Sequence, residues 1–269
     1  MQLKEGIRVE WSNAKTIFII TFLILNLFLT YQFNEKRNRS ELDIITEASI
    51  EERLAAEEIS YKDLPKDPKE SMYISGKPKF FDEESIKKLK NQEVNIDNPA
   101  LLHSVIEQPF KLSNSVTEAD PKIQQFLREY VLESDSYKLW NIDEENGTIL
   151  FFQHYEDHIF YNTSNYISGL LLINFNQNQE IVSYQQTMLV DFEEYENKEI
   201  IPALKALEFL YQNDYLKSGS EITKVELGYY PLEQLSESQI LAPTWHIIVN
   251  GKTDYYVNAF EGQIFEIME

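Results

Sequence analysis

The chain has 269 residues and a formal net charge of −21, from 45 Asp and Glu against 24 Lys and Arg. So acidic a surface repels phosphate backbones, which excludes nucleic acid as a partner, and repels anionic headgroups, so the body stands off a membrane. The absence of Cys excludes a disulfide framework, a thiolate metal site and a Cys nucleophile, while 16 Tyr and 16 Phe supply material for strands and a core.

Residues 1–15 form a short N-terminus. The run Thr16–Phe33 (TIFIITFLILNLFLTYQF) holds no charge. As a helix it rises about 27 Å, close to the ~30 Å hydrocarbon core of a bilayer, so it is predicted to be a transmembrane helix. The stretch after it has no small-residue cleavage site, which makes it an uncleaved anchor. Trp11 and Tyr31 stand near its two ends, where amphipathic rings favour the membrane interface. Lys4, Arg8 and Lys15 precede the helix and Lys36, Arg37 and Arg39 follow it, so the flanking charges do not set orientation. A short N-terminus needs no translocation, which places it in the cytoplasm and the body outside. Phe22, Asn26 and Thr30 share one helix face. The Asn26 amide either bonds to a partner's transmembrane helix or bonds locally to its own backbone.

Residues 34–75 read as an acidic stalk. Its helix over 40–59 is capped by Ser40 with Asp43 and ended by Pro65 and Pro68. A short helix is predicted over Asp82–Asn91, with irregular chain marked by Pro99 and Pro109. Asp120 caps the next helix, with Pro121 at its first position and Ile123, Phe126, Leu127 and Tyr130 on one face. Strands follow at Tyr137–Ile142 and Thr148–His154 around Asn146-Gly147, a hairpin signal, then at His158–Tyr161, Leu170–Phe175 and Glu180–Val190. Lys198–Tyr211 is predicted helical, with Ile201, Leu204, Leu207 and Leu210 recurring. Strands return at Ile222–Tyr230, Thr244–Asn250, Tyr255–Ala259 and Gln263–Ile267. The segment His158–Ile181 parallels His246–Ile264: a His-led strand, a turn, a strand ending in Ile/Val-Asn, and a turn leading to Ile. The expected fold class is α+β, an N-terminal transmembrane helix followed by two related modules, each an antiparallel β-sheet with a helix packed on one face. The modules are expected at 76–190 and 191–269.

No phosphate loop, dinucleotide turn or nucleophile elbow occurs. His154 and His158 have H-x-x-x-H spacing, but their flanks read as strand, turn and strand, whereas that spacing aligns two imidazoles only on a helix. The acidic runs at 143–145 and 191–196 lack calcium-loop spacing and read as solvated turns. No catalytic, cofactor-binding or metal residues are therefore assigned.

The block Trp11–Asn38 has a Trp-x-x-x-Lys-Thr entry, an Ile/Phe/Leu helix and a Tyr-Gln-Phe-x-x-Lys-Arg exit, and it resembles the start of the YycI (WalI) family of Gram-positive bacteria. The run from Pro243 through Trp245 and Tyr255 to Gly262 is similar to the closing hairpin of that family and of PepSY-like domains. The resemblance implies a non-enzymatic, cofactor-free, membrane-anchored regulator of the WalK/WalR (YycG/YycF) two-component system, which controls cell-wall homeostasis. It implies a YycH-like protein and the transmembrane region of the WalK sensor kinase as partners, favours inhibition, and leaves homo-oligomerisation open. A PepSY-like peptidase inhibitor and a cell-wall ligand-binding protein are the alternatives.

Overall fold

The computed structural model describes residues 11–42, 49–62, 64–66, 68–113, 116–117, 120–161, 169–234 and 238–265. The chain divides into two units, Met1–Arg53 and Leu54–Glu269. The first unit holds α1, Trp11–Leu42. α2 (Ile50–Ala56) follows, and the division falls within it.

The elements of the second unit come next in chain order. β1 is Ser60–Tyr61, β2 Glu70–Ser71, β3 Ile74–Pro78, α3 Glu83–Ile86, β4 Gln92–Asn98, β5 Leu101–Lys111 and α4 Pro121–Tyr130. Then come β6 at Tyr137–Asp143, β7 at Thr148–Tyr155, β8 at His158–Ile159, β9 at Leu170–Phe175, β10 at Glu180–Gln186, β11 at Leu189–Glu194 and β12 at Lys198–Glu199. α5 is Ala203–Gln212, and β13 to β16 are Glu221–Gln234, Gln239–Val249, Thr253–Asn258 and Ile264–Phe265. The fold is a sheet-rich α+β arrangement.

Two larger sheets carry it. The first has the order β4-β5-β10-β9-β7-β6, with β8 beside β7. The second has the order β1-β13-β14-β15-β16, with β3 beside β14 and β11 beside β3. β2 and β12 form a separate pair. In each large sheet a helix precedes four neighbouring antiparallel strands: α4 before β6-β7-β9-β10, and α5 before β13-β14-β15-β16. The counterpart of β14 is therefore β7. His158 and His246 are not equivalents, because β8 pairs with the end of β7 and not with β9.

α4 forms as the sequence predicts. Asp120 accepts from the backbone N–H of Lys122, Pro121 takes the first turn, and Ile123, Phe126 and Leu127 are buried. They pack on Leu102, Ile149, Phe151, Leu171 and Ile173 of the first sheet. α5 starts later than predicted. Ile201 precedes Pro202 and is disfavoured in the helical region, so Lys198–Glu199 pairs with β2 instead. On α5, Ala203 and Ala206 are fully buried beside Leu207 and Leu210, small residues that let a helix approach closely. The Trp245 indole N–H of β14 donates to the Ile201 carbonyl at 2.9 Å.

Other expectations are corrected. The residues read as stalk enter the folded unit from Leu54, which is fully buried, and β1 pairs in parallel with β13. Ser40 lies inside α1; the capping box belongs to Ser49 and Glu52, whose backbone and side-chain groups bond reciprocally at 3.1 and 3.3 Å, while 43–48 lie outside the described residues. The helix over Asp82–Asn91 shrinks to α3, which buries nothing, and Asn91 turns to φ +60°. The irregular chain around Pro99 and Pro109 is the β4–β5 hairpin. Pro99 is in its turn, and Pro109 lies where four residues of β5, 106–109, face one residue of β10, a bulge in which its missing N–H costs no ladder bond.

The predicted strand Glu180–Val190 splits at Thr187-Met188, where the chain leaves the first sheet for the second. The buried Gln153 side chain clamps this crossing, donating to the Leu189 carbonyl and accepting from the Leu189 N–H, both at 2.8 Å.

Candidate functional site

Two features stand out: the surface of α1, and a polar cluster inside the second unit. On α1 the described side chains run from Lys15 to Tyr31, and all are exposed. They include Phe18 (78%), Phe22 (67%), Ile17 (64%) and Tyr31 (67%). Such a helix is apolar on every side, a pattern suited to lipid or a buried core and not to water. Its polar groups turn inward on the helix itself. Thr21 donates to the Ile17 carbonyl at 2.9 Å, Asn26 to Phe22 at 2.8 Å, and Thr30 to Asn26 at 2.8 Å. Phe22, Asn26 and Thr30 thus lie on one face as predicted, with the donors of Asn26 and Thr30 engaged locally. Among the described residues no helix is long and apolar enough to cross a membrane; the described side chains of α1 stop at Tyr31, short of the predicted end at Phe33, and the side chain of Trp11 lies outside them.

The cluster is centred on His246, which is completely buried. Strand register sets Glu226, His246 and Tyr256 side by side across β13, β14 and β15. Asp254 lies two residues before Tyr256 and so on the same face. His246 Nδ1 is 3.1 Å from Glu226 Oε1, and Nε2 is 2.6 Å from Asp254 Oδ1. Lys224 reaches Glu226 at 2.9 Å and stands 5.9 Å from the Trp140 ring. The rings of Trp140, Tyr161 and Tyr256 enclose the imidazole at 5.0, 4.9 and 4.9 Å. Trp140 comes from β6 and Tyr161 from just beyond β8, so the cluster joins the two sheets. Burial drives the Tyr161 hydroxyl pKa far upward. With both nitrogens held by carboxylates and three rings around it, His246 ties β13, β14 and β15 to the elements that carry Trp140 and Tyr161.

Burial would raise the Glu226 carboxyl, but hydrogen bonds from His246 and Lys224 and the Lys224 charge outweigh it and hold the group below its ordinary value. A lowered folded value stabilises the fold above the unfolded value of ~4.3, and that contribution is lost as pH falls through the lowered one. Glu226→Gln removes this titration. Its urea midpoint should therefore drop less than that of the parent chain as pH is lowered from about 5 to about 3.

His154 and His158 are accounted for locally. His154 places Nδ1 2.6 Å from the Glu156 carbonyl and Nε2 3.0 Å from that of Asp135, and His158 packs edge-on against Tyr229 at 5.8 Å. No group of side chains among the described residues could hold a metal ion. Sequence reading placed His246 on a strand but missed Glu226, Asp254, Trp140 and Tyr161 as its neighbours. The alternation Lys224-x-Glu226 marks a common face, yet only the register of β13 on β14 brings that face to His246.

The family model described as YycI protein matches residues 39–260, most of the chain. The chain belongs to the YycI family. YycI proteins are a regulatory family, membrane-associated and connected with the WalK two-component pathway. The matched region begins beyond the apolar run of α1. No curated protein matches the sequence. Among solved structures the chain is similar to an uncharacterized protein from Eubacterium rectale ATCC 33656, with 12% identity and a TM-score of 0.47 over 78% of this chain and 91% of that one.

Proposed function

We propose that this YycI chain is a non-enzymatic regulator of the WalK (YycG) sensor histidine kinase, anchored by α1 as a single transmembrane helix. Residues 1–15 are cytoplasmic and the body from Leu54 is outside. It acts with a YycH-like protein through contacts between transmembrane helices and lowers kinase activity. The observation that carries this reading is the exposure of large apolar side chains all around α1. A helix of this kind biases a kinase only if it binds one of the kinase's states better than the other.

The face of Phe22, Asn26 and Thr30 supplies that contact. The bond from Asn26 to the Phe22 carbonyl uses one of the two amide hydrogens, which leaves the second hydrogen and the side-chain oxygen for a neighbouring helix. An interhelical bond of this type contributes about 0.6–2 kcal/mol, or roughly 3- to 30-fold in association. The full chain co-reconstituted with the kinase in proteoliposomes should slow autophosphorylation. Asn26→Leu should weaken both this effect and co-purification of the kinase or the YycH-like partner by that factor. Autophosphorylation indifferent to the full chain would sink the proposal.

A further inference from the structure

Besides the buried cluster, the second unit has an open cavity of about 450 Å³ lined by Tyr73, Tyr195, Glu196, Lys198 and Ile240. Its size falls in the range of small-ligand sites, ~300–1,000 Å³. Tyr73 bridges β2 and β3, and Tyr195, Glu196 and Lys198 lie at the end of β11 and the start of β12. The Tyr195 N–H donates to the Tyr73 carbonyl at 3.0 Å, which fixes the two walls together. The Tyr73 ring is buttressed by Phe260 at 4.7 Å, while Tyr195 is 50% exposed.

We propose that this cavity binds the cationic side chain of a partner peptide, a Lys ammonium or Arg guanidinium on its aliphatic stem. Three observations converge. Two of the lining residues are tyrosines, Tyr73 and Tyr195, whose rings can attract a cation through their quadrupole. Glu196 lines the cavity and supplies a carboxylate to pair with the guest cation. The chain's own Lys198 ammonium already stands 5.7 Å from the Tyr73 ring, showing the chemistry that the ring accepts. The net charge of −21 draws a basic segment toward such a site and disfavours an acidic one. Ile240 gives the stem of the guest side chain an apolar wall. The site is built from residues of the second unit, and its existence does not depend on which kinase state α1 prefers.

Calorimetric titration of the full chain in nonionic detergent with acetyl-Ala-Lys-Ala-amide tests the proposal, with the norleucine peptide as the uncharged control. The lysine peptide should bind saturably and about two- to fivefold more tightly than the control, the effect of a cation over a partly exposed aromatic ring. Tyr195→Ala and Glu196→Gln should each weaken it several-fold. Lys198→Gln should tighten it, because the internal cation no longer competes for Tyr73. Equal affinity for the two peptides, no saturable binding, or a Lys198→Gln chain that binds no better than the parent would each overturn the assignment.

Discussion

Trp245→Ala should lower the melting temperature of the folded unit by roughly 6–20 °C, from a loss of about 3–5 kcal/mol at about 2–4 °C per kcal/mol for a domain of this size. Trp245 is fully buried in the middle of β14, on the face opposite His246. Truncating it leaves a cavity that neighbouring strands cannot close without losing register. It also strips the Ile201 carbonyl of its indole donor at the point where the chain turns into α5. The second loss is separable from the first. Trp245→Phe keeps most of the buried ring but not the N–H, so it should cost about 1–3 kcal/mol. Thermal melts followed by far-UV circular dichroism measure both variants. Equal stability of Trp245→Phe and the parent chain would show that the bond to Ile201 contributes nothing.

Elements with a local cause are those that the sequence discloses. Asp120-Pro121 announces α4 because a capping carboxylate and a fixed φ act on neighbouring residues. Asn146-Gly147 announces the β6–β7 hairpin in the same way, with Gly147 at φ +65°. Proline misleads where its tolerance depends on a distant partner. Pro109 is accommodated by a bulge against β10. Pro243 sits where β14 changes partner from β3, at Leu241, to β15, at Thr244. Neither bulge nor partner change can be read from the flanking residues, so the sequence discloses neither β5 nor the first part of β14. The stalk expectation fails for a related reason. SIEERLAAEEI buries Leu54 and Ile59, and their burial depends on a tertiary surface that the segment does not itself describe. The His246 cluster lies furthest from what sequence reveals, since its parts come from β6, β13, β14, β15 and the turn after β8. The face of α1 was legible, including both the grouping of Phe22, Asn26 and Thr30 and the local bonding alternative for Asn26.

The seam between the two sheets makes a second large effect predictable, and two glycines separate its causes. At Gly228 on β13 a Cβ would meet the Ile159 carbonyl oxygen and the Tyr161 ring, each at 2.6 Å. At Gly262 the three nearest atoms it would meet all belong to the Phe209 ring, from 2.3 Å, and φ is +70°. Overpacking of this kind costs about 1–3 kcal/mol or more, and a left-handed backbone adds about 1–2 kcal/mol at Gly262. The two sites should differ in rescue. Phe209→Leu shortens the nearest obstacle at Gly262, so Gly262→Ala combined with it should regain part of the lost stability and retain the backbone strain. Tyr161→Leu clears the ring at Gly228 but leaves the Ile159 carbonyl, which belongs to β8 and is held by its pairing with β7. Gly228→Ala should therefore remain unrescued, and should push β8 and Tyr161 away from β13. Loss of the Tyr161 and His246 rings from beside Trp140 should then appear as a shift in tryptophan fluorescence well below the unfolding transition. A double-mutant cycle in urea, read by fluorescence and by circular dichroism, distinguishes the cases. Full rescue of Gly228→Ala by Tyr161→Leu would show that the side chain, and not the backbone of β8, sets the spacing of the two sheets.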